Sequence, residues 1–456
     1  MSTTAEACGG CFHPPPNVNE TPSLVVDHRM AFSISKTQTI LWDQVRYAGN
    51  PKEFAWVLPV RAGTDVEVGQ DAFLDVLDGV TAPTIAPPVV QCYYPPIDRS
   101  SSGGGGFGCG ASDSASFAPQ NGGALDAGIN APKDGGIIVV SEKVVGPYET
   151  VILRSVDGAS ISDWLTAHSF IIPSSIVPII AYYTNLGFDF VAIRLRPDVG
   201  TRAMQPIRVV SPGADGTLPL RMVSAGIGAT VGLELFVLSE GRYEATSFDN
   251  ALVDGKLVKW NGASSRSTYA ETFDALAASN AKGVWITEHA GKSAVGTLTS
   301  RYSAACRNQP PVAIPCNTTD AGTGDGGSDA GQDAGDAGGC VQYVPACDVY
   351  DDLTRATDGM NPSDVTITRM RTNLGATALS TDLVVGAAKS QAPVSSFIQT
   401  TEFTDPTYNP CPGGSTTPYP QTDPGDGCTT SGNGNSTAVV GLGLVALVAL
   451  ARRRRR

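Results

Sequence analysis

Cys8-Gly-Gly-Cys11, with His13 two residues on, has the residue types and spacing for thiol redox chemistry or for part of a metal site. A C-x-x-C pair becomes redox-active when the helix that follows it lowers the pKa of one thiol. Here Pro14, Pro15 and Pro16 follow, and three prolines forbid that helix. Zinc would need two further ligands at compatible spacing, and none lies nearby. Structural disulfides are the better reading, because the chain has ten cysteines, several beside Gly-, Pro- or Ser-rich stretches where a reduced thiol has no use. The other eight are Cys92, Cys109, Cys306, Cys316, Cys340, Cys347, Cys411 and Cys428. Cys92–Cys109, Cys306–Cys316 and Cys340–Cys347 would close small loops, and Cys411–Cys428 would form in an unprocessed precursor. Each cysteine has other partners open to it, since order alone does not fix connectivity.

Other motifs lack their context. Ser33-Ile-Ser-Lys36 has the S-x-x-K spacing of acylating serine enzymes, in which Lys one helical turn on reaches the Ser hydroxyl. This copy sits in an alternating, strand-like stretch that turns Ser33 and Lys36 to opposite faces. Gly226-Ile-Gly228 with Gly232 has glycine spacing like a dinucleotide loop, but strand-like residues follow it, so a bend or bulge between strands is expected. His28 falls in a strand, His168 near a helix end and His289 in a turn; neither H-E-x-x-H nor G-x-S-x-G occurs. Trp42, Trp56, Trp164, Trp260 and Trp285 alternate with apolar neighbours and read as core rather than a carbohydrate platform. No catalytic residue, metal ligand or cofactor site is assigned.

The elements behind these residues are mostly strands. RMAFSIS, TILWDQVRY, EFAWVLPV, YETVILRSV, FDFVAIRLRP, PIRVV, LPLRM and VGLELFVLSE alternate or run apolar between turn residues. Helical spacing appears in QDAFLDVLDG, with Gly79 as the stop, in ISDWLTAHSF, with Ser160 as N-cap after an Asp157-Gly158 turn, and in SSIVPIIAYYTNLG, where Pro178 fits only the first turn. The expected fold is α+β and β-rich: an N-terminal block at 8–99, a second α+β block at 137–305 and a small ordered piece at 348–410. Between them lie a Gly/Ser-rich insert at 100–136 and a Cys-flanked Asp-Ala-Gly linker at 306–347. Both are too polar to bury a core, so limited proteolysis is expected there first.

The net charge is −13, and without Arg452–Arg456 the body stands at −18, with 26 basic residues against 44 acidic ones. Such a surface repels nucleic acid. A Pro/Gly spacer at 411–437 leads to an apolar run at 438–451 and the cluster Arg452, Arg453, Arg454, Arg455 and Arg456. Fourteen residues span about 21 Å as a helix, short of the ~30 Å hydrocarbon core. Terminal arginines mark a membrane segment that is held, at least transiently, with its charges on the cytoplasmic side. At the other end, Ala5-Glu6-Ala7 before Cys8 has the small-x-small pattern of a signal-peptidase site, which makes residues 1–7 the residue of a longer signal peptide.

The order spacer, Gly427-Cys428, apolar run and Arg cluster resembles the MYXO-CTERM sorting tail of myxobacterial exported proteins. That resemblance implies a sorting protease acting near Cys428 and delivery from an inner-membrane precursor to the outer surface of a Gram-negative cell. CGGCF, HRMAFSI, FAWVLPV, YETVILRS, WLTAHSFIIP and AYYTNLGFDFVAIRL resemble the DUF2330 family over roughly residues 8–250, and that family implies no activity to carry over. The combined expectation is an exported, disulfide-containing, surface-displayed protein that binds an unidentified ligand or serves structurally. An extracellular hydrolase with an unrecognised site, or a thiol-redox protein, is the alternative.

Overall fold

The computed structural model describes residues 11–12, 24–48, 55–94, 136–168, 170, 172, 174–196, 204–224, 227–292, 295–307, 311–315, 341–344 and 351–417. The chain divides into two units, Met1–Val89 with Gly110–Tyr408, and Val90–Cys109 with Asn409–Arg456.

The first unit is built on two sheets. Its strands begin with β1 (Cys11–Phe12), β2 (Leu24–Ile34), β3 (Gln38–Ala48), β4 (Ala55–Val60) and β5 (Asp65–Val68). They continue with β6 (Ile138–Val145), β7 (Tyr148–Arg154), β8 (Asp189–Leu195) and β9 (Ile207–Pro212). The last strands of these two sheets are β10 (Ile227–Glu240), β11 (Asp249–Ala251), β12 (Val284–Lys292) and β13 (Val365–Leu374). Five strands form one sheet in the order β1-β4-β8-β7-β6, and eight form the other in the order β11-β12-β13-β10-β2-β3-β9-β5. The helices are α1 (Asp71–Thr81), α2 (Gly158–Ala167), α3 (Val177–Asn185), α4 (Tyr269–Ala277), α5 (Val295–Cys306) and α6 (Asp352–Thr357).

Period-two alternation sorts the side chains into layers. Met30, Phe32 and Ile34 of β2 meet Trp56 and Leu58 of β4 and Ile193 of β8 in a core between the sheets. The intervening Val57 and the outward Phe190 and Ala192 pack under Ile161 and Leu165 of α2 and Ile180 and Tyr183 of α3. On the far side, Ala31, Trp42, Phe236 and Ile367 are covered by Phe73 and Leu77 of α1, Tyr302 of α5 and Leu353 of α6. Phe273 and Ala277 of α4 cover Val284 and Ile286 there. The order is therefore helices, sheet, sheet, helices. Each such Leu, Ile or Phe contributes roughly 1.5–3 kcal/mol by leaving water.

The expected β-rich fold with helices is what the chain adopts, but the two expected blocks are not separate bodies. β2 and β3 from the first, β9 to β12 from the second and β13 from the small C-terminal piece share one sheet. Within the expected linker at 306–347, Val312–Pro315 and Val341–Val344 pair as a two-stranded antiparallel sheet, so that segment is not linker throughout: their apolar, β-branched residues pair despite the polar composition between them. α3 keeps Pro178 in its first turn as expected. Helix α1 runs past Gly79 to Thr81. Helix α2 is capped not by Ser160 but by Asp157, whose carboxylate accepts from the amides of Ala159 (3.1 Å) and Ser160 (3.0 Å). Gly158 is not a turn residue there: a Cβ on it would lie 2.6 Å from the Ala181 Cα of α3.

In the second unit Cys92 and Cys411 form a disulfide, with Cα atoms 5.5 Å apart, and Tyr93 and Ser415 exchange two backbone hydrogen bonds of 2.8 Å beside it. This replaces both the expected Cys92–Cys109 bridge and the expected Cys411–Cys428 bridge; the partners are 319 residues apart, so nearness in sequence was the wrong guide. A single protease cut at any bond between Cys92 and Cys411 should leave the two pieces joined. One band should run without reductant and two with it; pieces that part before reduction would exclude the bridge.

Candidate functional site

β9 ends where Ile207 faces Asp43, whereas β3 continues to Ala48. Beyond that point β3 has no paired strand on its β9 side among the described residues, and a cleft of about 660 Å³ opens. Arg29, Gln44 and Arg46 enter it from the helix-facing side of β2 and β3, and Asp71 and Asp75 from α1. Asp43, Val45 and Ile207 reach it from the inner face, with Tyr148, Met204 and Gln205. The volume lies in the range of small-molecule sites, about 300–1,000 Å³.

Helix α1 is positioned by charge as well as by its apolar face. Asp71, Asp75 and Asp78 recur at i, i+4 and i+7 and so share one side. Gln44 Nε2 donates to Asp71, Arg29 Nη2 donates to Asp75 at 2.8 Å and Arg369 pairs with Asp78. Arg29 Nε also donates to Gln44 at 3.0 Å. Burial, and then the neighbouring Asp75, push the Asp71 carboxyl above its ordinary pKa. The start of α1 is fixed by Asp352 of α6, which accepts from the Gln70 amide at 2.8 Å.

Under the cleft lies an ion pair. His28 is 2% exposed and Asp43 5%, and His28 Nδ1 stands 3.0 and 3.1 Å from the two carboxylate oxygens. Nε2 has no hydrogen-bond partner among the described residues. His28 and Asp43 also border a void of about 20 Å³ between the sheets, walled by Trp56, Leu58, Leu218 and Met222. Burial pulls the His28 pKa down, but the Asp43 carboxylate and its hydrogen bond outweigh that, and the net direction is up. A histidine with a raised native pKa stabilises the fold fully below its unfolded value of about 6.5 and loses that contribution as pH rises through the native value. Urea midpoints of the wild type relative to His28→Asn should therefore fall between pH 6 and pH 9. A pH-independent difference would mean that His28 does not carry the charge.

The structure brings few of the sequence-derived candidates together. Cys92 and Cys411 pair, and Cys306, at the end of α5, is disulfide-bonded. Cys11 stands in β1 opposite Trp56. Ala7, Cys8, Cys109, Cys316, Cys340, Cys347, Gly427, Cys428 and Arg452 to Arg456 lie outside the described residues, as does the apolar run at 438–451. Among the described residues no helix is long and apolar enough to cross a membrane, and no group of His, Cys, Asp and Glu is placed to hold a metal.

Ser33 Oγ donates to the Ala356 carbonyl at 2.8 Å while Lys36 is exposed, so the S-x-x-K spacing is coincidental. Gly228 and Gly232 lie inside β10, whose pairing with β2 shifts register between Ile227 and Gly232, so the bulge-type irregularity expected there falls within one strand and not between two. His289 belongs to β12 and not to a turn. Trp42, Trp56 and Trp285 are core, as expected.

His28, Arg29 and Asp43 were missed, although a signal existed. Asp43 interrupts the apolar run TILW, and its parity with Leu41 assigns it to the inner face. An ionisable residue there requires a partner.

A family model described as "Uncharacterized protein conserved in bacteria (DUF2330)" matches residues 4–309. No curated protein and no solved structure matches the chain.

Proposed function

Because the chain belongs to the DUF2330 family, which is described only as uncharacterized, we propose a function from the chain's own features: an exported, surface-displayed, non-catalytic binding protein. The observation that carries it is the cleft at the end of β9, whose wall presents two arginines and three aspartates to one space of small-molecule size. Export is supported by the Cys92–Cys411 disulfide and by the bonded Cys306, which suit an oxidising compartment. The tail supports a route through the membrane. A MYXO-CTERM-like protease would act near Cys428, after Arg452–Arg456 had held the precursor in the inner membrane.

The hydrolase reading has one observation in its favour, since Asp43 orients His28 as the acid of a catalytic triad would. His28, however, borders a void lined mostly by apolar side chains, and no hydroxyl or thiol among the described residues bonds to its Nε2. Two experiments test the proposal. Cys428→Ala should trap a full-length form in the inner membrane; arrival at the surface with unchanged size and yield would refute the sorting route. Mass spectrometry of small molecules retained from a cell-surface extract should find one kept by the wild type and lost by Arg46→Glu. Retention of nothing specific would refute the binding role.

A further inference from the structure

We propose that the cleft seats a free α-amino acid, its carboxylate on Arg29 and Arg46 and its ammonium on Asp71 and Asp75. This deepens the binding reading above and rests on it. Arg29 is buried, with 7% of its side chain exposed, yet it lines the cleft. Its Nε is engaged by Gln44 and its Nη2 by Asp75, whereas Nη1 makes no hydrogen bond among the described residues. A nearly buried guanidinium with one unengaged donor edge is a ready-made seat for an anion.

Arg46 supplies the second positive arm. It is exposed and makes no hydrogen bond or ion pair among the described residues, and its charge acts on Asp27 without a direct contact. Arg29 faces Gln44 across the β2–β3 pair, and Arg46 is two residues further along the same face. Diagonal neighbours of that kind have Cβ atoms about 7–8 Å apart, a spacing from which two long side chains converge on the two oxygens of one carboxylate.

The opposite wall has the opposite need. Asp71 and Asp75 are one helical turn apart, and their mutual repulsion adds to the cost of burying Asp71. Asp75 gives one oxygen to Arg29, and 55% of its side chain is exposed. An ammonium between the two carboxylates offsets that repulsion. A simple anion would meet Asp71, which has no ion pair among the described residues, and the second oxygen of Asp75; a simple cation would meet Arg46 and the open edge of Arg29; a zwitterion satisfies both walls. Val45, Met204 and Ile207 are left for an aliphatic side chain.

The test is calorimetric titration of the purified full-length protein with each free L-amino acid at millimolar concentration, followed by the N-acetyl and methyl-ester forms of any that bind. At least one amino acid should bind, and each blocked form should bind about tenfold or more weakly. Arg46→Gln and Asp75→Asn should each weaken binding about tenfold, a loss of ~1.4 kcal/mol. Arg46 is exposed, so that variant should keep the wild-type melting temperature and remain informative even if Asp75→Asn is destabilised. An N-acetyl form that binds as well as the parent would make the cleft an anion site, and an equally good ester would make it a cation site. Either result overturns the zwitterion while leaving a binding cleft. Binding by none overturns it too, and the surface-extract experiment then decides whether the cleft binds anything.

Discussion

Asp352→Ala is expected to lower the unfolding free energy by about 3–5 kcal/mol, measured by urea denaturation near neutral pH. Asp352 is fully buried and takes four donors: Trp42 Nε1 at 2.8 Å, the Gln70 amide at 2.8 Å, Arg208 Nη1 at 2.6 Å and Tyr302 OH at 3.1 Å. These come from β3, the start of α1, β9 and α5, so one carboxylate ties four elements to α6. Burial raises its pKa and Arg208 opposes that, leaving a net upward direction. Removing it strands Arg208, 3% exposed, with Glu67 as its other described carboxylate, and orphans three further donors. A buried donor left without its acceptor costs about 1–3 kcal/mol. Asp352→Asn, which keeps an acceptor oxygen, should fall between Ala and the wild type. A loss below about 1 kcal/mol for Ala would show that the hub is dispensable.

Arg369→Met should cost a similar amount, about 3–5 kcal/mol, and that cost should depend on pH. Arg369 Nε donates to Glu288 at 2.8 Å, and its other nitrogens pair with Glu234 and Asp78. Methionine keeps much of the stem, takes the ion pair from Glu234 and Asp78, and leaves Glu288 with Arg371 as its basic partner among the described residues. Burial already holds the Glu234 carboxyl above its ordinary pKa. Without Arg369 that elevation grows. An acid whose native pKa lies above its unfolded value destabilises the fold above that value, and the penalty disappears as falling pH protonates it. The variant's deficit should therefore be larger at pH 8 than at pH 5. An equal deficit at both would mean that packing, not charge, accounts for the loss.

Strand parity in RMAFSIS and EFAWVLPV was legible because each face of those strands meets a different layer, and the period of two survives in the side chains. The helical stretches were legible for the same reason, at their own period. Sheet order was not. Nothing local in VTITRMRTNL announces that it lies between β10 and β12, because pairing depends on which edges remain free after collapse. Glu288 was equally hidden: its partners Tyr269 and Arg369 lie 19 and 81 residues away. The cleft was partly legible. Asp43 and His28 break apolar strands at inner-face parity, but the early end of β9 that opens the space beside them is a property of the ladder alone.

The disulfide also makes the covalent chain a closed ring with two tails. A pull between the N-terminus and the C-terminal Arg cluster travels through residues 1–92, crosses the sulfur bridge and leaves from Cys411, so it bypasses everything from β6 to β13. At roughly 3.3–3.6 Å per extended residue, about 1,100 Å of contour is withheld from extension while the bridge is oxidised. Tension falls instead on β2 and β3, inside the larger sheet. Stretched by its ends, the oxidised protein should yield by losing those two strands, and should release the withheld length only after reduction.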